Sequence, residues 1–504
     1  MTYATYRATM AGVNDLLCTV NLMSWDARTV MPHGGTTARG LQIATVTSLA
    51  RDIATGDAMA RALDGAETEL ASAPPHDPRH AELAQARQGI ATLQRIPAAL
   101  IHQVAELKTT AHAAWVAARQ ANDFATYAPL LTRMLHMQRQ VSDAIGGSHP
   151  YDPLLGTFEP GMTLATLRPI YTTLKDALIP LIARATAAPA PRTDFLARTY
   201  PVPAQKAFAL GIAERMGYDM SRGRMDDTVH PFEISFTRDD VRITSRFRET
   251  WLPGGMFALW HEAGHGMYEQ GVSPDHSRSI FTTDLVNLYA VGGASFGLHE
   301  SQSRLWENRV GRSHAFWTLH FPELQRHFPS QLADVTATEF WRSVNQIRPS
   351  LIRVEADEVT YDLHIILRSE IEADLMTGTL SVADLPAVWA TGMRDYLGLE
   401  VPDDTQGVLQ DVHWSQFYVG SFPTYTLGNI MASQFFAAAL TQAPIAQGLQ
   451  QGHYAPLKAW LTDHIYHHGR RYTPGETLLR VTGSGLNPSP YLADLTAKVD
   501  AVLA

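Results

Sequence analysis

Hydrophobic residues recur mostly at steps of three and four positions along this chain of 504 residues. This spacing places apolar side chains on one face of an α-helix. Two examples are residues 82–120 and 163–187, which are rich in the good helix formers Ala, Leu, Arg, Gln and Glu. Short stretches with Pro or Gly, at residues 73–78, 146–150 and 188–191, predict connectors between helices. The pattern therefore predicts a mainly α-helical protein.

One region follows a different pattern. Within residues 228–247, apolar and β-branched residues partly alternate with polar ones, in one run around Ile234–Phe236 and another around Val241–Ser245. The acidic pair at residues 239–240 lies between the runs and is a candidate turn. This arrangement is typical of a β-hairpin or a small sheet. We expect it directly before the helix that carries the candidate chemistry.

That helix contains the segment His-Glu-Ala-Gly-His at residues 261–265. Residues four apart lie on the same face of a helix, so His261 and His265 can both reach one metal ion. Glu262 cannot be a third ligand of the same geometry, and it is placed to take a proton from an attacking water. The two residues between, Ala263 and Gly264, are too small to crowd the ion. The alternative is a pair of core histidines with a salt-bridged glutamate.

A catalytic zinc site needs a third protein ligand and one position left open for water. Glu300 is the candidate, because its helix-like segment lies far enough downstream to return beside the first helix. The position of Glu300 alone is weak evidence, because most glutamates in proteins are solvated surface residues. The grouping of His299, Glu300, Gln302 and Arg304 between apolar runs favours a metal ligand here.

Charge and cysteine content narrow the protein class. The formal net charge is −10 and the isoelectric point is about 6.1, so we do not expect nucleic-acid binding, which needs a basic face. With Cys18 as the one cysteine, no intrachain disulfide is possible. The first residues do not resemble a secretion signal, and no run of about 18–20 apolar residues predicts a membrane span. We expect a soluble, cytoplasmic protein without a membrane partner.

Further motifs occur in order around this segment. They are His-Pro-Phe at 230–232, Asp-Val-Arg-Ile-Thr at 240–244, His-Glu-Ala-Gly-His at 261–265, His-Glu-Ser-Gln at 299–302, Ile-Arg-Val-Glu-Ala-Asp at 352–357 and Gly-Val-Leu-Gln-Asp-Val-His-Trp at 407–414. Through them the chain resembles the carboxypeptidase Taq family, the M32 metallocarboxypeptidases, over essentially its whole length. One departure is Ser421, which stands where the resemblance leads us to expect an aromatic residue.

The resemblance implies a mostly helical fold with a deep groove, a homodimer, and removal of single residues from the C-termini of peptides. It also implies His261, His265 and Glu300 as the metal ligands and Glu262 as the catalytic base. Zn²⁺ is the expected ion, and Co²⁺ is accepted as an alternative.

Arginine can hold the terminal carboxylate of a peptide, because its planar fork forms two parallel hydrogen bonds. Arg353 is the first candidate and Arg242 the second. The alternative for each is an ion pair with a nearby aspartate, Arg353 with Asp357 or Arg242 with Asp240.

Other motif residues are candidates for supporting roles. Tyr425 and His413 could each donate a hydrogen bond to the oxygen that becomes negative during the reaction. Alternatively, Tyr425 only packs and His413 orients a ligand. Asp411 is expected to accept the distal N–H of a ligand histidine, the alternative being an ordinary cap or turn role. His230 and His299 are further candidates for holding the ligand side chains.

No strong boundary divides the chain, so we predict one catalytic unit over residues 1–504. Its N-terminal helical part extends to about residue 200, and the part that binds metal and substrate begins at about residue 201. Two other functions stay open: a zinc oligopeptidase or aminopeptidase with the same ligands, or a catalytically silent metal-binding scaffold. Loss of Glu262 or of a ligand would indicate the scaffold, and all four residues are present.

Overall fold

In the computed structural model, which describes residues 2–504, the chain is mainly helical, as the hydrophobic pattern predicts. The chain forms two compact units. The first unit contains the chain up to Gln94, Arg192–Val344 and Phe435–Gly485, and the second contains Arg95–Pro191, Asn345–Gln434 and Leu486–Ala504. The expected single catalytic unit, divided near residue 200, stays a prediction. The deep groove that the resemblance implies also stays a prediction.

In chain order the α-helices are α1 (Tyr3–Thr29), α2 (Thr36–Thr55), α3 (Asp57–Leu70), α4 (Pro78–Arg95), α5 (Ala98–Ala121), α6 (Phe124–Ile145), α7 (Asp152–Phe158), α8 (Leu164–Ala187), α9 (Val202–Met216), α10 (Leu252–Gly271), α11 (Phe296–Arg304), α12 (His314–His327), α13 (Ala337–Val344), α14 (Tyr361–Thr377), α15 (Leu385–Leu397), α16 (Pro423–Leu440), α17 (Ala443–Gln451), α18 (Ala455–His464), α19 (Pro474–Thr482) and α20 (Ser489–Leu503). A π-helix, Leu305–Gly311, continues α11. Within residues 2–504, none of the helices combines the length and apolar character that crossing a bilayer requires.

The segment 82–120, predicted as helical, lies in two helices. Helix α4 ends at Arg95 and α5 begins at Ala98, with Pro97 as the residue before the first turn of α5. Proline lacks a backbone N–H and disfavours helical geometry in the residue before it, so a helix cannot continue easily through this point. The expected helix over 163–187 is α8, and the three predicted connectors lie between helices except for Pro78, which begins α4.

The first unit contains the predicted hairpin as part of a larger sheet. Strands β2 (Glu233–Thr237) and β3 (Asp240–Ser245) are antiparallel, while β1 (Gly223–Asp227) runs parallel to β3 on its other side. The turn is one residue earlier than expected, because Asp240 already begins β3. Two further short strands, β4 (Thr283–Asp284) and β5 (Tyr289–Ala290), form a separate antiparallel pair.

Helix α10 runs through the interior of the first unit. It packs against α9, α11, β2, β3 and the π-helix, and apolar residues occur around its whole circumference, as expected for a buried helix. The ring of Trp260 contacts the rings of Phe257, Phe316 and Trp317, and its Nε1 donates to the carbonyl of Ala209 at 3.0 Å. These contacts fix the rotation of α10 about its axis and therefore the direction of its histidines.

In the second unit, α14 is buried along most of its length and packs against α6, α8 and α15. A buried helix with polar residues must satisfy them internally. Helix α14 carries His364, Arg368 and Glu372, each fully buried, at successive steps of four residues. This row of polar side chains is the main chemical feature of the second unit.

Candidate metal centre

His261 and His265 lie on one face of α10, one helical turn apart, with their ring centroids 4.9 Å from each other. Glu300 of α11 faces both rings. Its Oε2 lies 3.4 Å from Nε2 of His261 and 3.3 Å from Nε2 of His265. The three groups offer ligand atoms within 4.8 Å of one another, so a single ion could bind all three.

Glycine at position 264 allows α10 and α11 to approach each other this closely. A Cβ atom there would lie 2.7 Å from the backbone carbonyl oxygen of Gln302 and 2.7 Å from Cα of Ser303. Both atoms belong to the backbone of α11 and cannot rotate away. The small residue therefore serves the contact between helices that brings Glu300 to the histidines.

The distal nitrogens of both histidines have partners, and these fix which nitrogen faces the carboxylate. Nδ1 of His261 pairs with Oε2 of Glu307 at 2.9 Å. Nδ1 of His265 pairs with Nδ1 of His299, whose Nε2 pairs with Oε1 of Glu269 at 2.9 Å. If each distal nitrogen carries the proton, both Nε2 atoms present a lone pair to an ion. His299 thus contacts the candidate ligand His265. Glu307 contacts the other candidate ligand histidine, His261, but the sequence analysis did not identify it.

Arginine side chains hold the two carboxylates of this centre. Arg304 donates through Nε to Oε1 of Glu300 at 2.6 Å, which leaves Oε2 for the side that faces the histidines. Arg312 donates to Oε1 of Glu307 at 3.1 Å. Residues 300, 304 and 307 follow the spacing of one helix face, so a search for acidic and basic residues at that spacing could have found Glu307.

The protonation states of the cluster favour a bound cation. Burial alone would lower the pKa of His261, but the carboxylates of Glu300 and Glu307 outweigh it and raise that pKa to about 10. Burial lowers the pKa of His265 to about 3. Burial would raise the pKa of Glu300, yet Arg304 and His261 hold it well below its usual range. The carboxylates that attract a proton to His261 would equally attract a metal ion, which competes for the same nitrogen.

Glu262 is buried beside these groups but is not one of the three that face each other. Burial raises the pKa of its carboxyl group to about 7, and the negative charge of Glu300 adds to the effect. A carboxyl group with a pKa near the working pH can both accept and return a proton, which is what a general acid–base residue does.

Arg353 lies in the second unit, where it is buried and paired with Asp411 rather than with Asp357. Its Nε and Nη2 both donate to Oδ1 of Asp411, at 2.9 and 2.8 Å, and its Nη1 donates to the hydroxyl of Tyr361 at 2.9 Å. Asp357 instead accepts from backbone N–H groups, including that of Arg348 at 2.9 Å. The Arg353–Asp357 alternative is therefore wrong.

The expectation that Asp411 accepts the distal N–H of a ligand histidine is also wrong. Its other oxygen, Oδ2, accepts from Nε of Arg368 at 2.6 Å, and the distal nitrogens of the histidines pair with Glu307 and His299. Asp411 thus bridges two arginines. Arg368 was missed in the sequence, because a lone arginine in a helical segment gives no local signal.

His413 and Tyr425 also belong to the second unit and contact each other. Nε2 of His413 lies 3.2 Å from the hydroxyl of Tyr425, and the His413 ring stacks on Phe422 at a centroid distance of 4.3 Å. Burial, reinforced by the charge of Arg353, lowers the pKa of His413 to about 3, so its ring is neutral.

The two remaining candidates, Arg242 and His230, lie in or next to the three-stranded sheet of the first unit. Arg242 on β3 forms a double hydrogen bond with Asp240, at 2.9 and 3.0 Å, and its guanidinium stacks over Trp25 and Phe236. This is the ion pair expected as its alternative role. His230 is exposed in the loop between β1 and β2, and its supporting role stays a prediction.

Comparison with known proteins decides the class. The family described as Carboxypeptidase Taq (M32) metallopeptidase matches residues 5–499. The chain belongs to the M32 family. It is 38% identical to thermostable carboxypeptidase 1 of Thermus thermophilus over 95% of each chain. It is 37% identical to carboxypeptidase 1 of Bacillus subtilis, over 94% of this chain and 93% of that one.

Solved structures agree with this assignment. The crystal structure of the M32 carboxypeptidase from Deinococcus radiodurans superposes with a TM-score of 0.94 at 37% identity, covering 99% of each chain. This chain is therefore an M32 metallocarboxypeptidase, a peptide hydrolase that uses a metal cofactor. The family membership favours a carboxypeptidase over the oligopeptidase, aminopeptidase and silent-scaffold alternatives.

Proposed function

We propose that this M32 enzyme is a zinc carboxypeptidase that removes single residues from peptide C-termini, with His261, His265 and Glu300 as the metal ligands. The observation that carries the proposal is the convergence of these three side chains, with ligand atoms within 4.8 Å of one another. The partners on the far side of each group, Glu307, His299 and Arg304, support a site that is oriented before an ion binds.

The donor set fits zinc. Two imidazole nitrogens and one carboxylate oxygen are the protein ligands of many catalytic zinc sites, which keep a fourth position open. The same donors would also accept Co²⁺. When bound, the ion would act as a Lewis acid that polarises the scissile carbonyl and lowers the pKa of water.

Glu262 is the proposed general base. It would accept the proton of the attacking water and then pass this proton to the amine of the departing residue. Its burial, which raises the pKa of its carboxyl group, supports its role in both halves of that transfer. Tyr425 and His413 are the proposed hydrogen-bond donors to the negative oxygen of the tetrahedral state.

Arg353 is the proposed anchor for the carboxylate at the end of the peptide. A guanidinium has five N–H groups, and Arg353 uses two on Asp411 and one on Tyr361. One N–H on each terminal nitrogen is left, the number that a carboxylate binds in a forked pair. Arg242 is a weaker candidate, because Asp240 already occupies its fork.

A timed digest tests the proposed activity. One peptide carries a blocked N-terminus and a free C-terminal carboxylate, and a second of the same sequence carries a free N-terminus and a C-terminal amide. Mass spectrometry should show stepwise loss of single C-terminal residues from the first peptide and far slower change in the second. Internal cleavage, or removal of N-terminal residues from the second peptide, would contradict the proposal.

The homodimer and the cytoplasmic location implied earlier stay predictions.

A further inference from the structure

The carboxylate of Asp411 lies between two buried arginines in the second unit. Its Oδ1 accepts from Arg353 at 2.9 and 2.8 Å, and its Oδ2 accepts from Arg368 at 2.6 Å. The Arg368 side chain is 0% exposed and that of Asp411 is 11% exposed. Because the Arg368 side chain has no access to solvent, a substrate cannot contact it directly in this structure.

This cluster contains more positive than negative charge. Two guanidinium groups, which stay protonated in proteins, face one carboxylate. Burial, reinforced by the charges of Arg353 and Arg368 and opposed by that of Asp411, lowers the pKa of His413 and keeps its ring neutral. Burial likewise lowers the pKa of His364. The net charge of Arg353, Arg368 and Asp411 together is therefore +1.

The buried carboxyl group one turn further along α14 does not cancel that charge directly. Glu372 lies one turn from Arg368, but its oxygens accept from Trp414 Nε1, the Tyr151 hydroxyl and the Gly420 N–H, at 2.8–2.9 Å. Burial raises its pKa to about 7, so its negative charge is incomplete at neutral pH. In addition, Nη2 of Arg368 has no hydrogen-bond partner within residues 2–504.

We propose that Arg368 is a positioning residue that holds Asp411 and compensates its charge, so that Arg353 keeps a net positive charge for the substrate carboxylate. Without Arg368, Asp411 and Arg353 would form a neutral pair. Such a pair could still offer hydrogen bonds but would lose most of the long-range attraction for an anion. The inference rests on the proposed role of Arg353 as the anchor.

The test varies the charge of the cluster while it keeps the side chains similar in size. Arg368→Gln removes one positive charge, and Arg368→Gln combined with Asp411→Asn restores the original sum. Arg368→Lys retains the charge with a different shape. The exposed Arg394, also in the second unit, provides the matched control Arg394→Gln.

We expect Arg368→Gln to raise KM for a peptide with a free C-terminus by about tenfold or more, with kcat within about threefold of the wild type. Arg368 acts on the substrate across Asp411 and Arg353, and at an effective dielectric constant of about 20 a unit charge still changes affinity by about tenfold at roughly 10 Å. The double variant and Arg368→Lys should return KM to within about threefold of the wild type. The control should not change it. A purely structural role would not give recovery in the double variant.

Two outcomes would overturn the inference: an unchanged KM in Arg368→Gln, or a double variant as impaired as the single one. If Arg368→Gln does not fold, the double variant is measured alone. Its KM must then lie within about threefold of the wild-type value, and a larger KM overturns the inference. Arg353→Gln measured in parallel separates the two proposals. An unchanged KM in that variant rejects the anchor itself, whereas a raised KM there beside an unaffected Arg368→Gln rejects only the role of Arg368.

Discussion

Oε2 of Glu307 lies 2.9 Å from Nδ1 of His261, although the two residues are on different helices and 46 positions apart. Glu307 reaches this position from the π-helix that continues α11, the same helix that supplies Glu300. One continuous helical stretch therefore provides both a candidate ligand and the group that orients another. This arrangement couples the geometry of the metal centre to the shape of that stretch.

Replacing Glu307 by Gln should weaken metal binding without removing a ligand. The amide cannot supply the negative charge that holds the distal proton of His261, and loss of such a partner typically costs about 10- to 100-fold in metal affinity. Competition with a chelator measures the affinity. Glu323→Gln is the control, because Glu323 pairs with Arg215 and has no link to the ligands. Equal affinities in both variants would contradict the orienting role.

Glu262→Gln should retain the metal but lose nearly all turnover. The substitution leaves the three ligand groups intact and removes the group that accepts the proton, a contribution of about 10²- to 10⁴-fold in rate. The measurement is kcat on a protein whose metal content has been determined. Turnover near that of the wild type would reject Glu262 as the base.

Arg353→Ala should affect mainly substrates with a free C-terminal carboxylate. The expected loss in kcat/KM is about 2–3 kcal/mol, or roughly 30- to 150-fold, since a hydrogen-bonded charge pair is removed. The comparison uses the same peptide as free acid and as amide. Arg242→Ala, which removes the arginine paired with Asp240, should leave the ratio between the two peptides unchanged. An equal loss on acid and amide would exclude Arg353 as the anchor.

Gly264→Ala should separate α10 from α11 and disturb the metal centre. The added methyl group would lie 2.7 Å from backbone atoms of α11, and such overpacking typically costs about 1–3 kcal/mol in free energy of unfolding. Chemical denaturation and chelator competition check both effects. Gly12→Ala in α1 is the control, because a Cβ there meets nothing within 4 Å. If Gly264→Ala behaves like this control, the close helix contact does not shape the site.

Local sequence patterns predicted the parts of the site that depend on one element. The helix with His261 and His265 follows from their spacing, and the β2–β3 hairpin follows from alternation in two runs. Strand β1 was missed because its polar sequence, Gly-Arg-Met-Asp-Asp, has no alternation. It is a strand because it pairs with β3.

Contacts between distant segments were harder to predict. Asp411 lies 58 residues from Arg353 and 43 from Arg368 in the chain, and neither separation corresponds to a helical or strand period. Nothing in the sequence therefore indicated that one aspartate bridges two arginines. The same limit applies to the link from His265 through His299 to Glu269, which depends on how α10 and α11 pack.

The most direct test of the metal centre is the zinc content per chain. Elemental mass spectrometry measures it in the wild type and in the variant His265→Ala. We predict close to one zinc ion per chain in the purified wild-type protein, because three ligand groups converge on one point. His265→Ala, with one ligand removed, should retain less than about a tenth of that amount after dialysis against a weak chelator. A wild-type protein that binds no metal, or a variant that binds as much as the wild type, would contradict the proposed site.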